Sequence, residues 1–174
     1  MTEIEVKIRI GDAKAAREKV LGLGAVVARE RHIEKNILFD FASGTLRAGR
    51  RALRLRMTGE RATLTFKGEP RKSRSFKVRE ESETQVRDPR QARKILRSLG
   101  LRETFAYEKR RTLFRKARLT IALDETAVGN FLELEGERHE IVRFAKALGF
   151  GRTDFITESY VDLLADRGKA AGPA

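Results

Sequence analysis

Apolar and polar residues alternate one by one near the start of the chain, where Ile4, Val6, Ile8 and Ile10 interleave with Glu3, Glu5, Lys7 and Arg9. A period of two belongs to a β-strand with one apolar and one polar face. The alternation returns at Leu53-Arg54-Leu55-Arg56 and at Thr63-Leu64-Thr65-Phe66-Lys67. It is less clean from Ser75 to Val86, where Lys77, Arg79, Glu81 and Glu83 share a face. Further strands are expected over residues 26–41, over 104–115 with Tyr107, Lys109, Arg111 and Leu113 on one side, over 119–124 ending at Asp124, and at Phe131-Leu132-Glu133-Leu134-Glu135.

Between strands the apolar spacing lengthens to that of a helix. Asp12 is placed to cap a helix running to about Leu23, with Ala13, Ala16, Val20 and Leu23 on one face and Gly24 as its stop. Asp88 and Pro89 open a second helix with the stripe Ala92, Ile95, Leu96 and Leu99, ended by Gly100. A third carries Ile141, Phe144, Ala145 and Leu148 before Gly149, and a last short helix is expected over 158–165. The Gly, Ala and Pro residues of 168–174 suit a disordered tail. Three times a Glu-x-Glu strand (Glu3/Glu5, Glu81/Glu83, Glu133/Glu135) precedes a helix that ends in Leu-Gly. The repetition predicts a single α+β domain over 1–167, its strands in one antiparallel array with helices on the apolar side.

One alternating strand is explained by a wet polar face. The sum over strands is not: seven carboxylates (Glu3, Glu5, Glu81, Glu83, Asp124, Glu133, Glu135) and nine cations (Lys7, Arg9, Arg54, Arg56, Lys67, Lys77, Arg79, Lys109, Arg111) fall opposite the apolar residues. Closing the array into a barrel of about eight strands would gather them in one polar bore. Carboxylate oxygens suit hard cations such as Mg²⁺ or Mn²⁺, which take phosphate oxygens as further ligands, while Arg and Lys clamp phosphates. The pairing of both signs therefore points to a polyphosphate ligand held with a metal.

Composition narrows the chemistry. With 40% hydrophobic residues in 174 the chain is globular, and the absence of cysteine excludes disulfides, thiolate catalysis and zinc-thiolate sites. His32 and His139 are too few for a His-rich metal site. Neither a membrane span nor a signal-peptide pattern is visible, so a cytoplasmic location without membrane partners is expected. The formal charge of +13 favours polyanionic ligands, with cations spread through strands rather than gathered in a tail.

These pieces resemble the CYTH family, the triphosphate tunnel enzymes that include class IV adenylate cyclases and thiamine and inorganic triphosphatases. Glu3-Ile4-Glu5-Val6-Lys7 resembles the family's Glu-x-Glu-x-Lys, Leu53-Arg54-Leu55-Arg56 its Leu-Arg-x-Arg strand, Leu64-Thr65-Phe66-Lys67-Gly68 its Lys-Gly strand end, and Lys109-Arg110-Arg111 its Lys-x-Arg strand. Asp124, Gly129 and Phe131-Leu132-Glu133-Leu134-Glu135 resemble its Asp…Gly-x-Phe-x-Glu-x-Glu signature, and Ser159-Tyr160 its closing Ser-Tyr. Asn36 departs from the pattern, standing where the family often has Asp.

The resemblance implies a closed antiparallel tunnel of eight strands. Glu3, Glu5, Glu133 and Glu135 would hold Mg²⁺ or Mn²⁺ with Asp124 and Glu83 nearby, and Lys7, Arg54, Arg56, Lys67, Lys109 and Arg111 would grip a triphosphate. Glu3, Glu5, Lys7, Glu133 and Glu135 form the expected catalytic set. A one-residue slip would put Glu80 in place of Glu81 and Glu83. Asp124 also suits a turn, and Ser159 and Tyr160 read as helix start and core.

Two reactions fit: an adenylate cyclase converting ATP to cyclic AMP and pyrophosphate, the first reading, or a triphosphatase acting on thiamine triphosphate or inorganic tripolyphosphate. A non-catalytic RNA- or polyphosphate-binding module is the rival class. It would need exposed aromatics between cations, whereas most of the Phe and Tyr residues alternate into apolar faces, which argues against a nucleic-acid partner. A homodimer is a common outcome for compact enzymes.

Overall fold

The computed structural model describes residues 2–73 and 75–170. The elements run β1 (Thr2–Ile10), α1 (Ala13–Gly22), β2 (Val26–Phe41), α2 (Thr45–Ala48), β3 (Ala52–Thr58), β4 (Arg61–Lys67) and β5 (Lys77–Val86). They continue with α3 (Pro89–Ser98), β6 (Leu101–Lys116), β7 (Leu119–Thr126), β8 (Gly129–Glu135), α4 (Arg138–Ala147), a short β9 (Phe155–Ile156) and α5 (Tyr160–Ala170). Strand order is β5-β4-β3-β2-β6-β7-β8-β1-β9, and a further pairing of β5 with β1 closes the sheet. The fold is thus α+β, a closed antiparallel barrel of eight strands with five helices, to which β9 adds two residues alongside β1.

The expected caps form. Asp12 accepts the backbone N–H of Ala15 at 2.8 Å, and Asp88 accepts those of Arg90 and Gln91 at 2.9 and 3.0 Å. The repeated Leu-Gly stop is real: Leu23, Leu99 and Leu148 are C-caps, each followed by a glycine at φ 80°, 89° and 94°. A residue with a Cβ resists that left-handed conformation, so the glycine lets the chain turn off the helix.

The chain divides into two compact units, one made of the described residues of Met1–Glu3, His32–Lys72 and Val78–Lys109, the other of those of Ile4–Arg31, Ser73–Lys77 and Arg110–Ala174. In the first, Leu46 of α2 and Leu96 of α3 pack with Ile37, Phe39, Leu55, Ala62 and Leu101. In the second, Ala16 and Val20 of α1 and Ile141, Phe144 and Ala145 of α4 are buried, as are Val6, Ile8, Ile121, Leu132 and Leu134 of the strands. On the polar side of β1, Glu5 and Lys7 are also buried, only 4% and 2% exposed. From Glu5 to Ile8 both faces of this strand are therefore out of water, while Arg9 is exposed, so a wet surface does not account for its central charges.

Three expectations need correction. Of the apolar stripe on α3 only Leu96 is buried, while Ile95 and Leu99 are 59% and 66% exposed. Arg93 and Arg97 bind Glu103 of β6 at 2.9 and 2.7 Å, which draws the opposite flank of the helix toward the sheet and leaves Ile95 and Leu99 outside. The last helix starts at Tyr160 and continues to Ala170, past Gly168 where the tail was expected to begin; residues 171–174 of that tail lie outside the described residues. The short helix α2 was not foreseen, because four residues carry no readable period.

Asp40 supplies the missing signal for α2. Its carboxylate, 5% exposed, accepts backbone N–H groups of Phe41, Leu46 and Arg47 at 2.7, 2.8 and 2.9 Å. Burial pushes this carboxyl up, but the three N–H groups and the nearby Arg47 charge outweigh it and hold the group below its ordinary value. Asp40→Ala leaves those donors bare and is expected to cost about 2 kcal/mol in urea unfolding. Because the folded-state value is lowered, the contribution is full above the ordinary carboxylate range and fades as pH falls through the lowered value. Asp40→Asn should accordingly lose less stability than the parent between about pH 5 and pH 2, relative to pH 7.

Candidate active site

In the second unit, strand register sets a cation across from a carboxylate at two points and two carboxylates across from each other at a third. Lys7 of β1 is the Cα partner of Glu133 on β8, Glu5 is the partner of Glu135, and Arg111 of β6 is the partner of Asp124 on β7. Directly opposed side chains lie close enough to pair. Lys7 Nζ sits 3.2 Å from Glu5 Oε1 and 3.2 Å from Glu133 Oε2, and Lys77 Nζ approaches the same Glu5 oxygen at 3.0 Å. Arg111 binds Asp124 bidentately at 2.6 and 2.5 Å and reaches Glu133 Oε1 at 3.0 Å.

In these contacts three carboxylates (Glu5, Asp124, Glu133) meet three cations (Lys7, Lys77, Arg111), so their charges offset one another. Neutrality is what makes burial tolerable, since an uncompensated buried charge costs several kcal/mol, of order 3–5. Lys7 registers the balance. Burial alone would lower its ammonium, but the charges of Glu5 and Glu133, with their hydrogen bonds, raise it above its ordinary value and keep it protonated.

Tyr160 completes this network. It stands at the start of α5, where Ser159 and Asp162 cap the helix: Asp162 Oδ2 accepts Ser159 N–H at 3.1 Å and Ser159 O–H at 2.6 Å. Ser159 is thus the helix-start residue expected. Tyr160 is more than core: its hydroxyl donates to Asp124 Oδ2 at 2.6 Å, its ring lies edge-on to Phe131 at 5.6 Å, and Lys7 Nζ is 5.1 Å from the ring centre. All three contacts are with residues on the polar side of their strands, so this helix start covers charge instead of the apolar face.

In the first unit, Lys67 Nζ binds Glu3 Oε2 at 3.1 Å and also contacts Glu81. The β4–β5 register pairs Lys67 with Glu81 and Thr65 with Glu83, so Glu81 and Glu83 share the face of Lys67, while Glu80 pairs with Arg71 at 2.7 Å. Glu83 is exposed and accepts the Thr65 hydroxyl at 2.8 Å, and Arg54 Nη2 makes a long 3.5 Å contact to that same hydroxyl. Glu34, only 3% exposed, lies 3.5 Å from Arg56 Nη1, 3.6 Å from Lys109 Nζ and 3.7 Å from His32 Nε2.

The sequence-derived residues therefore gather in two sets: Glu5, Lys7, Arg111, Asp124 and Glu133 in one unit, Glu3, Lys67, Arg54, Arg56, Glu83 and Lys109 in the other. Glu135, opposite Glu5 in the ladder, belongs with the first set. Glu34 was missed, although it alternates with Asn36 on β2; its polar neighbour Lys35 blurs the period. The bond of Tyr160 to Asp124 joins residues far apart in the chain and leaves no local trace.

The carboxylate oxygens are of the kind a hard divalent ion takes, which fits the expected metal. Among the described residues, however, no three carboxylates or histidines are gathered as a ligand set. The same oxygens are held by lysine and arginine nitrogens, and both oxygens of Asp124 are engaged by Arg111 and Tyr160.

The structure is a closed antiparallel α+β barrel whose buried polar face carries paired carboxylates and cations. The CYTH domain family model matches residues 1–160, and the chain belongs to that family. The family is metal-dependent in general. Solved structures agree in fold. One, from Vibrio parahaemolyticus and described as a candidate adenylate cyclase, is 22% identical with a TM-score of 0.84, covering 95% of this chain and 98% of that one. The PH1012 protein of Pyrococcus horikoshii is 26% identical, TM-score 0.79, covering 92% and 98%. HpAC1 from Hippeastrum, described as a candidate adenylyl cyclase with a dominant triphosphatase activity, is 21% identical, TM-score 0.69, covering 95% and 96%. No curated protein matches the chain. Among the described residues no helix is long and apolar enough to cross a membrane.

Burial first, then the charges of Asp124 and Glu133, push the Tyr160 phenol well above its ordinary value, against a smaller opposing effect of Arg111. Of the two tyrosines in the chain, Tyr107 is only partly buried. An ultraviolet titration is expected to show one of the two phenolates forming only as the protein unfolds in alkali. Tyr160→Phe should delete that phase; an unchanged phase in the variant would contradict the buried bond.

Proposed function

We propose that this chain is a metal-dependent enzyme acting on a triphosphate, with ATP cyclisation to cyclic AMP and pyrophosphate as the first reading. The observation that carries it is the buried pairing of carboxylates and cations on the polar side of β1, β6, β7 and β8. A binding module for one sign of charge has no use for such a balanced interior. A reaction that must hold both a divalent ion and a polyphosphate needs both signs.

In this reading Glu3, Glu5, Glu133 and Glu135 hold Mg²⁺ or Mn²⁺. When bound, the ion would polarise a phosphoryl oxygen and offset charge developing in the transition state. Lys7 and Arg111 take phosphate oxygens, Arg111 through its planar fork and Lys7 as a point charge, and Lys77 joins them from β5. Arg54, Arg56, Lys67 and Lys109 supply the further positive charge that a triphosphate requires. Asp124 and Tyr160 orient Arg111, a positioning role that leaves Asp124 outside the metal set. Glu83, exposed and bonded to Thr65, stands nearby.

For cyclisation the ribose 3′-oxygen bonds to the α-phosphorus, the bond to the β-phosphate bridging oxygen breaks, and the hydroxyl proton leaves to solvent or a carboxylate. The second reading, a triphosphatase in which water attacks the terminal phosphorus, is favoured by the activity described for the similar Hippeastrum protein. It uses the same binding groups.

Product analysis with ATP, thiamine triphosphate and tripolyphosphate, each with Mg²⁺ and with Mn²⁺, tests the class. Cyclic AMP with pyrophosphate supports the first reading, orthophosphate the second, and no turnover with any pair contradicts both. Glu133→Gln is expected to lower metal-dependent kcat by about 100-fold or more while the far-ultraviolet spectrum is unchanged. Full activity in that variant removes β8 from the site.

A further inference from the structure

The outer side of α3, in the first unit, has no part in the chemistry above. Ile95 and Leu99 are 59% and 66% exposed, a large share for two branched apolar side chains. Four residues apart, they form one row along the helix with Gln91, and the next row around carries Arg90, Lys94 and Ser98. All of these residues are exposed. Arg93 and Arg97 make a third row, and with Arg90, Lys94 and Ser98 they line an open groove of about 480 Å³. An apolar row thus runs directly beside a cationic groove.

Charge on this face is one-sided. Residues 87–103 hold six cations (Arg87, Arg90, Arg93, Lys94, Arg97, Arg102) and two carboxylates, Asp88 and Glu103. Asp88 is engaged in the helix cap, and Glu103 is shared by Arg93 and Arg97. Among the described residues no carboxylate pairs with Arg90, Lys94 or Arg102. A second copy of this chain docked here about a twofold axis would set like charges together. A nucleic acid would leave Ile95 and Leu99 without a partner, since α3 has no aromatic side chain to stack a base. A folded acidic partner would need a groove shaped to the two exposed side chains, whereas an anionic lipid surface deforms around them.

We propose that the outer face of α3 docks on an anionic lipid surface, with Ile95 and Leu99 entering the boundary between headgroups and acyl chains while Arg90, Lys94 and Arg97 hold lipid phosphates. Basic helices with an apolar row lie in the plane of such surfaces. Their long Lys and Arg stems stay with the apolar row while the charged ends reach the headgroups. The expected absence of membrane partners rested on the lack of a span, which a surface contact does not need. The net charge of +13 draws the whole chain toward such a surface, and α3 supplies the apolar grip. Two apolar side chains make this a reversible contact, not an anchor. None of these residues serves the triphosphate site, so the contact is independent of that reading.

Co-sedimentation with vesicles tests this, using phosphatidylcholine alone and an equimolar mixture with phosphatidylglycerol. The parent should bind the mixed vesicles, less tightly as salt rises, and leave the neutral ones unbound. Arg90→Glu with Lys94→Glu, and separately Ile95→Ser with Leu99→Ser, should each lower affinity for the mixed vesicles by about tenfold or more. Arg143→Glu with Lys146→Glu, a reversal of equal charge at exposed positions of α4, should lower it much less. Thermal melting establishes that each variant is folded. Because the chain has no cysteine, Leu99→Cys takes a single environment-sensitive fluorophore, and its emission should shift to the blue on mixed vesicles while the same label at Arg143→Cys should not. That probe carries the apolar arm if the double serine variant does not fold. No binding to mixed vesicles, equal losses from the α3 and α4 charge reversals, or no blue shift at Leu99→Cys overturns the proposal. So does binding of polyglutamate as tight as that of mixed vesicles and lost in the same variants, which would assign the face to an acidic protein instead.

Discussion

Charge inside a barrel has to be neutralised where it sits, and the strand register does part of this by placing cations opposite carboxylates, while Glu5, opposite Glu135, is met by Lys7 and Lys77. Lys7 faces Glu133 and Arg111 faces Asp124 across their ladders, so the pairing is made by the same hydrogen bonds that make the sheet. A slip of one residue on β8 would carry Glu133 to the apolar side and leave Lys7 and Arg111 short of a carboxylate. The cost of that slip, several kcal/mol or on the order of 3–5 for each stranded charge, makes the register a condition of folding.

The apolar faces obey a looser rule. Leu46, Leu96 and their neighbours need only fill a volume, which is why α3 can rotate until Ile95 and Leu99 lie outside without loss of the cluster around Leu55. The polar faces tolerate no such freedom. Where the two demands meet, at Tyr160, the chain uses an aromatic ring to cover Phe131 and a hydroxyl to hold Asp124. A ring with one polar edge is suited to such a boundary.

A balanced interior has a consequence for ligands. Glu5 and Glu133 of the second unit accept from lysine or arginine, so a divalent ion placed among them would free ammonium and guanidinium groups for another anion. A triphosphate is such an anion, and on the proposed reading ion and substrate would favour each other's binding.

Most of the fold and much of the candidate site could be read from the chain alone, because both rest on local rules. Period-two alternation determined which residues of β1, β3, β4 and β8 are apolar and which carry charge, and Asp12, Asp88 and the Leu-Gly stops bounded the helices. What the period could not carry is partnership over distance. Whether Glu81 or Glu80 turns toward Lys67 depended on the β4–β5 register. The rotation of α3 depended on Glu103, the existence of α2 on the carboxylate of Asp40, and the meaning of Tyr160 on an aspartate 36 positions earlier in the chain. Alternation assigns a side chain to a face at no more than its own strand's length; only the folded barrel decides which charges meet on that face, because the partners are set by closure of the sheet and not by spacing along the chain.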